Sequence, residues 1–209
     1  MLRTALVALA VTTVVAGCAS APTATKTAHS PTARESGSPA PSRPPIELRP
    51  DRHAGTSAQL GIADGDLPDG VSVFADEYPA VANLEPDLLR AVRAAATDAL
   101  GDSVAVVVNS GWRSTEYQEH LLDEAIQKYG SRKKAAQWVA TPLTSAHVSG
   151  SAIDLGPASA EAWLAEHGAE YGLCQTYANE PWHYELRPRA VDRGCPHPYA
   201  DPAHDPRMQ

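Results

Sequence analysis

The chain has 209 residues, the length of one globular domain with or without a tail. At 43% hydrophobic and 20% charged, most of it can build a core. Its formal net charge is -8 and it has no large basic cluster, so the phosphate neutralisation that nucleic-acid binding needs is missing and that class is excluded.

Taken in chain order, Arg3 is followed by an uncharged run, ALVALAVTTVVAG, which reads as a secretory signal over residues 1–17. The run is short for a membrane span, which needs about 20 apolar residues. Its end, Val15-Ala16-Gly17-Cys18, resembles the lipobox of bacterial lipoproteins. The resemblance implies lipidation of Cys18 and several acyl chains, which together hold a membrane where one chain binds only marginally. The alternative is an ordinary secretory signal that contains a cysteine. Three cysteines are an odd number in an exported chain. Lipidation of Cys18 leaves Cys174 and Cys195 as a pair, expected to form a disulfide in an oxidising compartment, with two unpaired thiols as the alternative.

Residues 18–60 read as a disordered stalk: from Ala19 to Leu60 there are seven Pro, eleven Ser or Thr and no aromatic residue. Such a composition buries too little apolar surface to offset the entropy of ordering. The domain is placed at 61–195. Residues 61–80 are ambiguous by pattern, although Val71, Val73, Phe74 and Tyr78 suit an ordered lead-in. Glu85 to Leu100 reads as a helix, with Pro86 in its first turn and Leu88, Leu89, Val92 and Ala96 on one face. Val104 to Asn109 reads as a buried strand. Thr115 to Tyr129 is a helix with Thr115 and Gln118 as a capping box and Gly130 as its stop. A short helix is expected over Ser131 to Ala140, a strand over Ser151 to Leu155 and a Ser-capped helix over Ser159 to His167. Strands follow at Leu173 to Tyr177 and around His183 to Leu186. Residues 196–209, with four prolines, read as a frayed tail. The pattern argues an α+β fold with a small antiparallel sheet.

Three clusters carry chemistry. In Ser145 to Asp154, a two-residue turn at Gly150-Ser151 would make a hairpin with His147 directly opposite Asp154, where one cation could take both. Ser145 falls on the same face. The plain alternative is a surface His–Asp pair. In Glu180-Pro181-Trp182-His183, a turn at Pro181 would bring Glu180 and His183 together as general base and ligand, the arrangement of metal-assisted hydrolysis. A buried Trp between polar residues is the alternative. In Ser110-Gly111-Trp112-Arg113-Ser114, at the junction of strand and helix, Arg113 is placed either to grip a carboxylate of a substrate or to pair with an internal acid.

Together the clusters resemble the VanY-like D-alanyl-D-alanine carboxypeptidases, zinc peptidases related to the VanX-type dipeptidases. That family runs S-G-[YW]-R-S with Y-Q close behind, then S-x-H-x-x-G-x-A-x-D, then E-P-W-H. This chain has Ser110 to Ser114, Tyr117-Gln118, Ser145 to Asp154 and Glu180 to His183, in that order. The resemblance implies one zinc ion on His147, Asp154 and His183, with water in the fourth position and Glu180 as its general base. It implies that Arg113 holds the substrate carboxylate or steadies the oxyanion, and that Gln118 and Ser145 contact the terminal residue of the peptide. Two neutral His and one carboxylate leave such a zinc at about +1, enough to acidify water. Two departures are visible. The chain has Ala146, Val148 and Ser149 where the family often has E, Q and T, and Glu185 where many members have Arg.

The reading that follows is an exported, membrane-anchored lipoprotein facing the cell wall, acting as a monomer to remove the terminal D-Ala from peptidoglycan stem peptides. The alternatives are an L,D-carboxypeptidase on tetrapeptide stems, a D,D-dipeptidase, or a non-catalytic wall-binding lipoprotein. The presence of Glu180 argues against the last. His29, His53, His120, His167, His197 and His204 are assigned no role, and Arg132-Lys133-Lys134 reads as a solvated helix face.

Overall fold

The computed structural model describes residues 60–208. The residues read as a signal, as a lipobox with Cys18 and nearly all of those read as a stalk lie outside the described residues. Among the described residues no helix is long and apolar enough to cross a membrane.

Five strands form one sheet: β1 (Val71–Ser72), β2 (Val107–Ser110), β3 (Ala152–Gly156), β4 (Leu173–Tyr177) and β5 (Glu180–Leu186). Their order is β1-β2-β3-β5-β4, and each neighbouring pair is antiparallel. The α+β expectation therefore holds. The central strand β3 is buried at every residue, and alternation divides its side chains between two faces. Ile153 and Leu155 join the main core with Val108, Leu173 and Tyr184. Asp154 points to the other face, and that face carries the site.

The helices follow from simple patterns. α1 (Pro79–Ala82) is a single turn. α2 (Pro86–Gly101) buries Leu88, Val92, Ala95, Ala96 and Ala99, a stripe with helical spacing that packs in the main core. α3 (Thr115–Tyr129) has the predicted bounds, but its cap is Ser114, whose extended backbone lets Oγ accept from Tyr117 N at 3.0 Å. Thr115 is already helical, and Gln118 is buried inside rather than closing a box. α4 (Arg132–Ala135) is shorter than the predicted 131–140, because the chain then folds Trp138 back to stack on Tyr129, ring centroids 5.9 Å apart. α5 (Ala158–His167) starts after Pro157, with Ser159 in its first turn rather than at its cap. α6 (Ala190–Arg193) is a last single turn.

The end of the chain differs most from expectation. Cys174 and Cys195 form the expected disulfide, Cα atoms 5.5 Å apart. Beyond it the chain is packed rather than frayed. Tyr199 pairs in parallel with Tyr177, through Ala178 N–H to Tyr199 O at 2.7 Å and Tyr199 N–H to Thr176 O at 2.9 Å. The prolines serve this packing: Pro202 starts a 3-10 turn (Pro202–His204) capped by Asp201, and Asp205 behind it is fully buried. His204 lies in that turn, 2.7 Å from Asp201.

Candidate metal centre

The register of three strands sets one row of polar groups across the sheet. Ser110 of β2 is paired with Asp154 of β3, and Asp154 is paired with His183 of β5. A bulge lies between Val108 and Ser110, where β2 advances two residues against one on β3, and it brings Ser110 into the row. A larger irregularity shapes β5. Between the pairs Gln175↔Tyr184 and Tyr177↔Glu180, β5 uses two more residues than β4. Glu180 and His183, which alternation would place on opposite faces, are thereby both buried on the site, with Glu180 Oε2 3.9 Å from His183 Nδ1. The predicted turn at Pro181 is therefore a bulged strand, where a residue with no N–H is tolerated.

His147 does not come from a hairpin. Residues 146–150 form turns, and β3 pairs with β2 and β5 instead. The Gly150-Ser151 register fails because β3 is paired on both edges and Ser151 N–H turns back to Ala146 O at 2.8 Å; the Gly150 carbonyl takes the Glu85 N–H at 2.9 Å, at the start of α2. Gly150 has φ +72°, and a Cβ there would lie 2.4 Å from Asn83 O. Gly111 approaches as closely, with its Cβ position 2.0 Å from Ala80 O. The segment around α1 thus clamps both loops, and the Gly111 carbonyl accepts from His147 Nδ1 at 2.8 Å.

His147 and Asp154 converge all the same. His147 Nε2 lies 3.2 Å from His183 Nδ1 and 3.4 Å from Asp154 Oδ1, and His183 Nδ1 lies 3.2 Å from Asp154 Oδ1. All three residues are buried. The carbonyl at His147 Nδ1 fixes its proton there, so Nε2 presents a lone pair to the other two atoms. A tetrahedral zinc with bonds of about 2.0–2.1 Å sets its ligand atoms roughly 3.3 Å apart, which the triangle matches. Two imidazoles and one carboxylate fit that ion.

The electrostatics favour ligation at His147 and Asp154, while His183 holds a proton that a cation at its Nδ1 would displace. Burial and the Arg113 cation push His147 down from its ordinary value, keeping it a neutral donor. Burial alone would raise Asp154, but His147, His183 and Arg113 hold its carboxyl well below the usual range. Burial also opposes a charge on His183, yet Asp154, Glu185 and Glu180 outweigh it and push the imidazole up to about 9. Glu180 is pushed up to about 8, chiefly by burial. Its Oε1 is buried without a hydrogen-bond partner among the described residues.

Arg113 stands behind the triangle. Its NH2 donates to Asp154 Oδ2 at 3.0 Å, Nε to Ser110 Oγ at 2.8 Å and NH1 to Gln118 Oε1 at 3.1 Å. The two alternatives left open by the sequence are therefore compatible, since three of its five N–H groups are engaged and two remain. Gln118 is committed inside, because its Nε2 donates to Ala140 O at 2.9 Å. Ser145 is buried in the loop two residues before His147. His120, by contrast, is exposed beside Glu124 on α3, and His167 lies beside Glu170, both away from this cluster.

Sequence reasoning missed Asp64 and Asp66. Ser114 N–H donates to Asp64 O at 2.8 Å, Ser114 Oγ to Asp64 Oδ1 at 3.1 Å and Tyr117 OH to Asp66 Oδ1 at 3.2 Å. The lead-in thereby buttresses the loop that carries Arg113. Two acids among ordinary loop residues carried no signal for this.

Buried imidazoles, a carboxylate and an adjacent buried glutamate, set on one face of a small antiparallel sheet, define a mononuclear metal centre on an α+β scaffold. A family model described as VanY, D-alanyl-D-alanine carboxypeptidase, matches residues 81–189, just over half of the chain and the stretch that holds every residue of the triangle. The chain belongs to the VanY family. It is 32% identical over 123 residues to a D-alanyl-D-alanine carboxypeptidase of Enterococcus faecalis (strain ATCC 700802 / V583). That stretch is 47% of this chain and 43% of the relative, so the chain spans less than half the length of the curated relative it matches. Among solved structures it is similar to VanYB in complex with D-alanine-D-alanine, at 26% identity and TM-score 0.49, covering 53% of this chain and 74% of that one. It is also similar to a mutant of the vancomycin-resistance D,D-pentapeptidase VanY from a VanB-type cassette in complex with Zn(II). There the identity is 27% and the TM-score 0.47, covering 49% of this chain and 72% of that one.

Proposed function

We propose that the protein is a zinc-dependent D,D-carboxypeptidase that removes the terminal D-Ala from peptidoglycan stem peptides. The observation that carries this is the meeting of His147 Nε2, Asp154 Oδ1 and His183 Nδ1 within 3.4 Å of one another, with the Glu180 carboxylate beside them. Membership of the VanY family supplies the substrate class.

The three atoms would hold the ion. When bound, zinc supplies Lewis-acid chemistry, making water ionisable near neutral pH and polarising a carbonyl. Glu180 is the general base: it takes the proton from the attacking water and delivers it to the amine that leaves as D-Ala. A carboxyl whose proton affinity is raised by burial to near the working pH suits both transfers. Arg113 holds Asp154 in place and has N–H groups left for the terminal carboxylate of the peptide. Ser145, buried two residues before His147, is assigned to contact the same terminal residue, as is Gln118, which also holds Arg113.

The compartment is part of the proposal. The signal-like run and the Val15-Ala16-Gly17-Cys18 motif support an exported chain, lipidated at Cys18, anchored in the membrane as a monomer and facing the wall. Release of a Cys18→Ser variant from the membrane fraction tests it.

The activity is tested by incubating the zinc-loaded protein with a muropeptide pentapeptide and a tetrapeptide and following both by mass spectrometry. The expected result is loss of one alanine from the pentapeptide alone. Loss from the tetrapeptide alone would move the assignment to the L,D bond. No cleavage of either by zinc-loaded protein would leave a wall-binding module.

A further inference from the structure

The packed C-terminal segment lies beyond residue 189, where the family match ends, yet it reaches the back of the metal centre. With Nδ1 of His183 turned to Asp154 and His147, a neutral ligand imidazole carries its proton on Nε2. That nitrogen is buried and has no hydrogen-bond partner among the described residues. Glu185 Oε1 stands 3.6 Å from it, a gap about half an ångström beyond a good hydrogen bond. Glu185 is two residues along β5, so alternation puts it on the same face, and it is 3% exposed.

A carboxylate buried there needs cations. Arg207 supplies a fork, NH1 to Oε2 at 2.6 Å and NH2 to Oε1 at 3.0 Å, and Arg187 adds a single contact at 2.9 Å. Arg207 is itself fixed by Asp205, which accepts from its Nε and NH2 and also from Tyr177 OH at 3.1 Å. The Tyr177 ring in turn lies against the His183 ring, centroids 5.0 Å apart. The disulfide and the Tyr199 bridge hold the tail on β4, and so deliver Arg207 to this point.

We infer that Glu185 and Arg207 are positioning residues of the metal centre: the C-terminal tail, through Arg207, holds Glu185 so that it orients His183 as a zinc ligand. This rests on the zinc reading above. Outer partners of ligating imidazoles fix ring orientation and raise ligand basicity, and losing one lowers metal affinity about 10–100-fold. The tail is therefore part of the site and not only a stabilising wrap.

The test uses the full chain. Zinc affinity is measured by chelator competition, and the visible absorption of the cobalt(II)-loaded protein reports ligand geometry. Far-UV circular dichroism of each metal-free variant checks the fold. Glu185→Gln is expected to weaken zinc about 10–100-fold and Arg207→Ala about 10-fold, each with an altered cobalt spectrum. Arg207→Lys should recover part of the loss, and Arg193→Ala, an exposed arginine, should change nothing. If Glu185→Gln does not fold, the two Arg207 variants decide. Zinc affinities within about twofold of the parent and an unchanged cobalt spectrum in the folded variants would overturn the inference while leaving the zinc reading intact. A parent chain that takes up no zinc, or a His183→Ala variant that binds it as tightly, would overturn the zinc reading and the inference with it.

Discussion

Replacing Arg113 with alanine is expected to destabilise the metal-free protein by about 3–5 kcal/mol, the cost of breaking a buried ion pair by removing one partner. The figure follows from the contacts. The Arg113 and Asp154 side chains are 14% and 9% exposed, so solvent can replace little of what is lost. The substitution takes the guanidinium from a buried carboxylate, leaving it only the imidazoles of His147 and His183, and it strips Gln118 Oε1 and Ser110 Oγ of a donor in the same step. Since whole-domain stability is about 5–15 kcal/mol, such a loss is a large part of it. Arg113→Lys keeps the charge but one ammonium cannot reach three acceptors in a plane, so a loss of roughly 1–3 kcal/mol is expected. The assay is urea denaturation in the presence of chelator, with Asp154→Asn and the double variant completing a cycle. The coupling between the two positions should exceed about 1 kcal/mol, as for residues in one buried network. A cost below about 1 kcal/mol for Arg113→Ala, or additive effects in the cycle, would show that Arg113 does not hold Asp154 and refute the reasoning.

Two further outcomes follow. Glu180 has its carboxyl raised from 4.5 to about 8 in the folded metal-free protein, so the folded state binds more protons between these values and its stability falls as pH rises through that window. Glu180→Gln should then be neutral below pH 4.5 and stabilising at pH 7 by about 3 kcal/mol, from about 1.4 kcal/mol for each of roughly 2.5 pH units; equal stability of parent and variant at pH 5 and pH 8 by denaturant titration would contradict it. Replacing both Cys174 and Cys195 with Ser opens a loop with a sequence separation of 21, which should cost about 3 kcal/mol and lower the melting temperature by about 10 °C; an unchanged calorimetric melting temperature would argue against it.

The sequence displayed the candidate site residues better than the scaffold that brings them together. His147, Asp154, His183 and Glu180 stand out as residue types at suggestive spacings, and the structure gathers all four. The routes proposed for two of them were wrong for one reason: local rules of turn and alternation cannot see strand partners distant in the chain. Asp154 finds its neighbours in β2 and β5 rather than in a hairpin with residues 147–149, and a bulge in β5, not a turn, turns Glu180 toward His183. α2 and α3 were legible because their signals are local: a Pro start, an apolar stripe, a Gly stop. The tail departs from expectation because proline suits a capped turn as well as disorder, and here Pro202 starts a turn capped by Asp201, with Asp205 buried behind it. Nothing in the composition of residues 196–209 announces that Arg207 reaches Glu185, since that contact depends on the register of β5 and on the disulfide.

The most direct test of the account is a titration of zinc into the metal-free protein while alanine release from a D-Ala-D-Ala-terminated pentapeptide is measured. Hydrolysis should be absent without metal, rise linearly and stop rising at one equivalent, and stay absent in a His183→Ala variant at every point. Full hydrolysis by the metal-free chain, or an equal response from His183→Ala, would contradict the assignment of these residues to a catalytic zinc centre.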